Sequence, residues 1–128
     1  MEFAKNSISW FEIPVIDFER AKTFYQTIFD YEMPEMQMDA TRMGILLHDR
    51  DGGGIGGAIC HGEGYKPSGH NGPKVYLNGG ADLNAVLGRV EAAGGKQLLP
   101  KTPIGENMGH FAFFNDTEGN VVGLYSMG

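Results

Sequence analysis

The sequence predicts an α+β fold built of two βαβββ modules in tandem forming a cleft, and three observations lead there. The chain repeats itself: residues 44–58, GILLHDRDGGGIGGA, align without a gap to residues 111–125, FAFFNDTEGNVVGLY. That overlay matches Asp49 to Asp116, Gly52 to Gly119 and Gly56 to Gly123. Upstream, SWFEIPVIDFERA matches PKVYLNGGADLNAV once one residue is inserted before Asp82. Each half also carries one apolar stripe at helical spacing behind a capping Asp, and short apolar runs separated by turn residues.

In the first strand Phe11, Ile13 and Val15 share one face and Trp10 and Glu12 the other, because successive side chains alternate. The apolar face must cover the helix. Asp17 is placed to cap that helix, and Phe18, Ala21, Phe24, Tyr25 and Ile28 form its buried stripe up to about Phe29. A hairpin then turns at Arg50 to Gly54. Residues 61–73, HGEGYKPSGHNGP, are polar and rich in Gly and Pro and read as the link between modules. In the second copy Val75 and Leu77 take the helix side and leave Lys74 and Tyr76 opposite. Asp82 caps the second helix, Leu83, Val86, Val90 and Ala93 form its stripe, and Gly94-Gly95 stops it. Asp116 to Asn120 supplies the last turn, after which Val122 and Leu124 face the helix and Val121, Gly123 and Tyr125 face away. The opposite faces of the two modules are expected to line one shared concave surface. The whole chain, 1–128, is one domain: module 1 over about 6–60, the linker over about 61–73, module 2 over about 74–127.

Composition narrows the function classes. With 41% hydrophobic and 20% charged residues and no apolar run near the ~18 residues of a membrane span, the chain reads as an ordinary globular domain. A net charge of −6 with scattered Lys and Arg argues against nucleic acid as a partner. Cys60 is alone, so no disulfide framework or Cys-based zinc pattern arises, and no secretory signal opens the chain; a cytoplasmic location is expected. Gly52 to Gly57 lack the following helix that a dinucleotide-binding loop requires, so hydride and phosphate chemistry are not expected. The four His residues match no ligand spacing, His110 beside a strand being the one kept as a candidate contact.

Val15-Ile16-Asp17 leading into Phe18-Glu19-Arg20-Ala21 and Phe24-Tyr25, with Asp116-Thr117-Glu118-Gly119-Asn120 near the end, resembles the vicinal-oxygen-chelate superfamily. That superfamily includes glyoxalase I, extradiol dioxygenases and the bleomycin and fosfomycin resistance proteins, and the closing and linker segments are similar to its small glyoxalase-like members. The resemblance covers essentially the whole chain and implies the glyoxalase/bleomycin resistance/dioxygenase fold. It also implies where a metal would be held in metal-dependent members. Those slots fall on Trp10, on Gly56 or its neighbours Gly57 and Ala58, on Lys74 and on Gly123. None of these is a plausible ligand, so no metal and no other cofactor is expected.

The expected cleft residues are Trp10, Glu12, Lys74, Tyr76, His110 and Tyr125, with glycines leaving room for a small organic ligand. Three readings stay open. One is a binding protein that sequesters a small molecule by aromatic and Glu/Lys contacts. Another is a lyase- or isomerase-type enzyme on a small oxygenated compound, with Glu12 as general base. The third is a structural dimer without ligand; apart from these, the bland reading of Glu12 and Lys74 is a simple ion pair. A homodimer is expected on the resemblance and on the open sheet edges.

Overall fold

The computed structural model describes residues 3–128. β1 (Phe11–Pro14) leads into α1 (Phe18–Phe29), and the junction is built as the residues require. Asp17 is extended, and its carboxylate accepts from the backbone N–H of Arg20 at 3.1 Å, satisfying one of the helix's free donors. The helix ends where Asp30 turns left-handed at φ 51° and its N–H returns to Gln26. Phe18, Ala21, Phe24, Tyr25 and Ile28 are its buried residues, the stripe expected from spacing.

β2 (Glu35–Met38) and β3 (Thr41–Ile45) form a tight hairpin, and a long connection containing Arg50 to Gly54 carries the chain to β4 (Gly57–His61). After the polar link come β5 (Tyr76–Asn78), α2 (Asn84–Val90), β6 (Lys96–Pro103), β7 (His110–Asn115) and β8 (Val121–Ser126). α2 is shorter than its stripe suggests. Leu83, not Asp82, holds the N-cap position, and the Asp82 carboxylate instead accepts from the backbone of Asn84 at 2.9 Å and from Lys101 at 3.0 Å. The chain leaves α2 through Gly94, at φ 103°, and Gly95. A Cβ on Gly95 would lie 2.5 Å from the carbonyl oxygen of Asn115 and 2.7 Å from the Phe24 ring, so this close passage admits only glycine.

Each module makes one four-stranded sheet, ordered β1-β4-β3-β2 and β5-β8-β7-β6, with the first and last strands of each module running parallel. Ile13, Val15, Leu46 and Ile59 from the first module share one buried core with Leu77, Ala112, Phe114, Val122 and Leu124 from the second and with both helices. Phe24 joins the halves, its ring centroid 5.8 Å from that of Phe114. The helix-bearing faces of both sheets are therefore sealed into a single core. The opposite faces are left on the far sides of their sheets.

The turn between β7 and β8 is tied to the start of α1. Glu118 accepts from the backbone N–H of Ile16 and Asp17 and from the Arg20 guanidinium, while Asn120 donates to the carbonyl of Pro14 at 2.8 Å. Among the described residues, no helix is long and apolar enough to cross a membrane.

Candidate functional site

On the second sheet, ladder register assigns the outer face. Tyr76 stands opposite Gly123, which stands opposite Phe113; Asn78 stands opposite Tyr125, which stands opposite Phe111. The aromatic rings interlock: Tyr76 and Phe113 at 5.6 Å between centroids, Phe111 and Phe113 at 5.6 Å and near-perpendicular. Gly123 is required here, because a Cβ would sit 2.5 Å from the Tyr76 ring that lies across it. The Tyr125 hydroxyl donates to the carbonyl of Met108 at 3.0 Å, fixing that ring at the rim. Lys74 extends over Phe113, its Nζ 6.0 Å from the ring centre. Tyr76, Ile104, Phe111 and Tyr125 line an apolar cavity of about 400 Å³ on this face.

The outer face of the first sheet is different. Ala58 stands opposite Glu12, and Ile45 opposite Ala58; Cys60 stands opposite Met43. Met43, Ala58 and Cys60 form a small buried cluster with Ile45 and Tyr65 packed on it. Glu12 is held above it, accepting from the Tyr65 hydroxyl at 2.8 Å and the Trp10 indole at 3.3 Å. Burial, and then the charge of Glu12, push the Cys60 thiol up to about 12, so it is not a nucleophile at neutral pH. The hydrogen bond to Glu12, with burial second, likewise pushes the Tyr65 hydroxyl up to about 12.

The expected cleft residues thus fall into two groups that this chain does not bring together. Trp10 and Glu12 lie on the first sheet's outer face, and Lys74, Tyr76 and Tyr125 on the second's. The cavity that takes Tyr76 and Tyr125 contains no first-module residue. Among the described residues no ion pair joins Glu12 to Lys74. Both helix faces went into one core, which within a single chain sets Trp10 and Glu12 apart from Lys74, Tyr76 and Tyr125. His110 is corrected. It pairs with buried Ser126 on the core side of β7, its Nδ1 buried without a hydrogen-bond partner among the described residues. Ile104, Phe111 and Phe113 were missed as site residues. The alternation in HFAFFN carried the signal for the two phenylalanines, once it is known that Ala112 and Phe114 face the core.

Bleomycin resistance protein-like N-terminal is the family whose model matches, over residues 7–43. A glyoxylase-like domain-containing protein from Didymella fabae is 34% identical over 122 residues, covering 88% of each chain. The chain is a vicinal-oxygen-chelate protein. Solved structures carry the same fold. TnmS3, an antibiotic-binding protein from Streptomyces sp. CB03234, is 24% identical, covers 98% of both chains and superposes with a TM-score of 0.67. FosX, a fosfomycin resistance protein from Listeria monocytogenes complexed with Mn(II), is 17% identical, with 97% of this chain and 91% of that one covered and a TM-score of 0.61.

The slots that the resemblance assigns to a metal carry Trp10, Lys74 and Gly123, side chains that do not suit an ion. Register makes Ala58 the first module's equivalent of Gly123, since Ala58 stands opposite Glu12 as Gly123 stands opposite Tyr76. The gapless overlay that matched Gly56 to Gly123 is two residues out at this strand, with face parity preserved. The Tyr76 ring covers Gly123, and two residues before Ala58 the His48 ring packs on Gly56, where a Cβ would meet it at 2.5 Å. Among the described residues, no three His, Cys, Asp or Glu side chains gather closely enough to hold an ion.

Proposed function

We propose that this vicinal-oxygen-chelate protein binds a small, apolar or aromatic organic molecule on the outer face of its second sheet, without a metal ion. The observation that carries the reading is the cavity of about 400 Å³ walled by Tyr76, Ile104, Phe111 and Tyr125. Its size lies within the range of small-molecule sites, and its walls offer ring faces rather than acid–base groups. A stacked aromatic ligand gains roughly 0.5–1.5 kcal/mol per ring pair beyond area burial. The antibiotic-binding description of TnmS3, which matches this chain nearly end to end, supports sequestration over chemistry.

The partner we assign is a second copy of the chain. Trp10 is 40% exposed on one outer face, Tyr76 50% and Tyr125 38% on the other, which leaves large apolar side chains uncovered on both. The first face carries Glu12 and the second Lys74, so two copies pairing face to face would bring faces of opposite charge together and assemble the expected cleft residues between protomers. The enzyme reading gains one observation, that Trp10 and Tyr65 hold the Glu12 carboxylate in place. It requires Glu12 to meet a ligand bound by the partner.

A thermal-shift titration with neutral 2-naphthol tests the binding reading. Saturation at ~100 times Kd adds about 2.7 kcal/mol and raises the midpoint by several degrees. Phe111→Ala should abolish the shift, and dialysis against EDTA should leave it intact. Glu12→Gln should retain the shift; loss of a measurable turnover in that variant would instead establish the enzyme. Failure of aromatic compounds to move the midpoint would leave the ligand-free dimer.

A further inference from the structure

A second cavity, of about 480 Å³, lies where the two modules meet, between the β3–β4 connection and β5. Consecutive residues 74–78 all line it, side chains of both parities included, so the cavity meets β5 along its backbone edge. β5 is the outermost strand of its sheet, and among the described residues no strand neighbours that edge. The floor is apolar, formed by Phe11, Phe29, Leu46 and Leu77. One wall is the His48 ring, held by a 2.9 Å contact from Nδ1 to the carbonyl of Leu46 and seated on Gly56, whose missing side chain makes the space. Asp49, at the loop end, has its carboxylate turned to its own turn, accepting from the backbone of Gly52 at 2.9 Å. Lys74 is the cation at this cavity, and among the described residues no carboxylate lies within 4 Å of it.

We propose that this inter-module cavity is a second small-molecule site, taking a flat apolar compound that bears one carboxylate, with the carboxylate on Lys74 and the ring system against Phe11, Leu46 and His48. An apolar floor beside a solvent-exposed ammonium suits that chemistry, because the ligand buries its body on the floor while its carboxylate accepts charge-assisted hydrogen bonds from Lys74. Tyr76 is the one residue lining both cavities, so the two sites are neighbours and not one space.

The test is an amide-resolved NMR titration of the full chain with 2-naphthoate, repeated with neutral 2-naphthalenemethanol. On adding naphthoate, the amides of Leu46, His48, Ile55 and Val75 should shift while that of Ile104 stays put. Lys74→Gln should weaken naphthoate about tenfold, as loss of a hydrogen bond to a charged group implies, and leave the alcohol unchanged. Leu47→Trp, a substitution at an exposed lining position, should fill the cavity and block the acid. Phe111→Ala should leave naphthoate binding intact, so the two sites fail or stand separately. Equal affinity for acid and alcohol, shifts confined to Phe111 and Tyr125, or no shift at millimolar naphthoate would each overturn the proposal.

Discussion

Glu118 is 4% exposed and ties together parts of the chain a hundred residues apart. Its carboxylate accepts from Ile16 at 2.9 Å, Asp17 at 2.7 Å, the Arg20 guanidinium at 2.7 and 3.1 Å, and Thr117 at 2.8 Å. Burial pushes its pKa upward, but the hydrogen bonds from Arg20, Asp17, Thr117 and Ile16 outweigh this and lower it from 4.5 to about 2. A depressed carboxylate pKa contributes stability that is fully present above 4.5 and lost as the pH falls through about 2. Asp116 acts with opposite sign, because burial raises its pKa against the hydrogen bonds from Asn120 and Tyr25. Glu118→Gln should cost about 2–3 kcal/mol at neutral pH, the worth of hydrogen bonds to a charged group. In urea titrations the gap from the parent protein should narrow between pH 4.5 and pH 2. A gap of equal size at every pH would contradict this account. In the sequence, Asp116 to Asn120 reads as a turn, and nothing local shows which distant helix end that turn will reach.

At the scale of elements, alternation did most of the predictive work. Phe11, Ile13 and Leu77 pack with the core while Glu12 and Tyr76 do not, as a period of two requires. Spacing located both helices, but the second begins at Asn84 because Asp82 spends its side chain on a turn and on Lys101. The pairing of Tyr76 with Gly123 was beyond reach, since it depends on which residue of β8 stands beside β5. That contact yields an element-scale prediction. Gly123→Ala should destabilise by about 1–3 kcal/mol, the cost of forcing a side chain into filled space. In a Tyr76→Ala background the same change should cost far less, so the double-mutant cycle should show strong coupling. Additive costs would mean that the ring does not occupy the space above Gly123.

For the whole molecule, the shared core makes the two modules one folding unit and exposes both site faces. A protein of 13.9 kDa that exposes Trp10 beside Glu12 on one face and Tyr76 and Tyr125 beside Lys74 on the other should associate. Sedimentation at micromolar concentration should give a species of about 28 kDa, twice the chain mass. Glu12→Lys should shift that equilibrium toward monomer by setting like charges against each other. A single 14 kDa species of the parent chain would end the proposal of a cleft between protomers.

By itself the sequence determined the two-module repeat, the helix stripes and the face each strand residue takes, because these depend on periods of 3.6 and 2 and on caps a few residues away. The tertiary structure alone decided that the site faces lie apart, that His110 turns to the core, and that Tyr76 and His48 fill the spaces over Gly123 and Gly56. These outcomes depend on strand register and on how two helix layers merge into one core. Both are contacts between residues far apart in the chain, where packing and not local preference sets the answer.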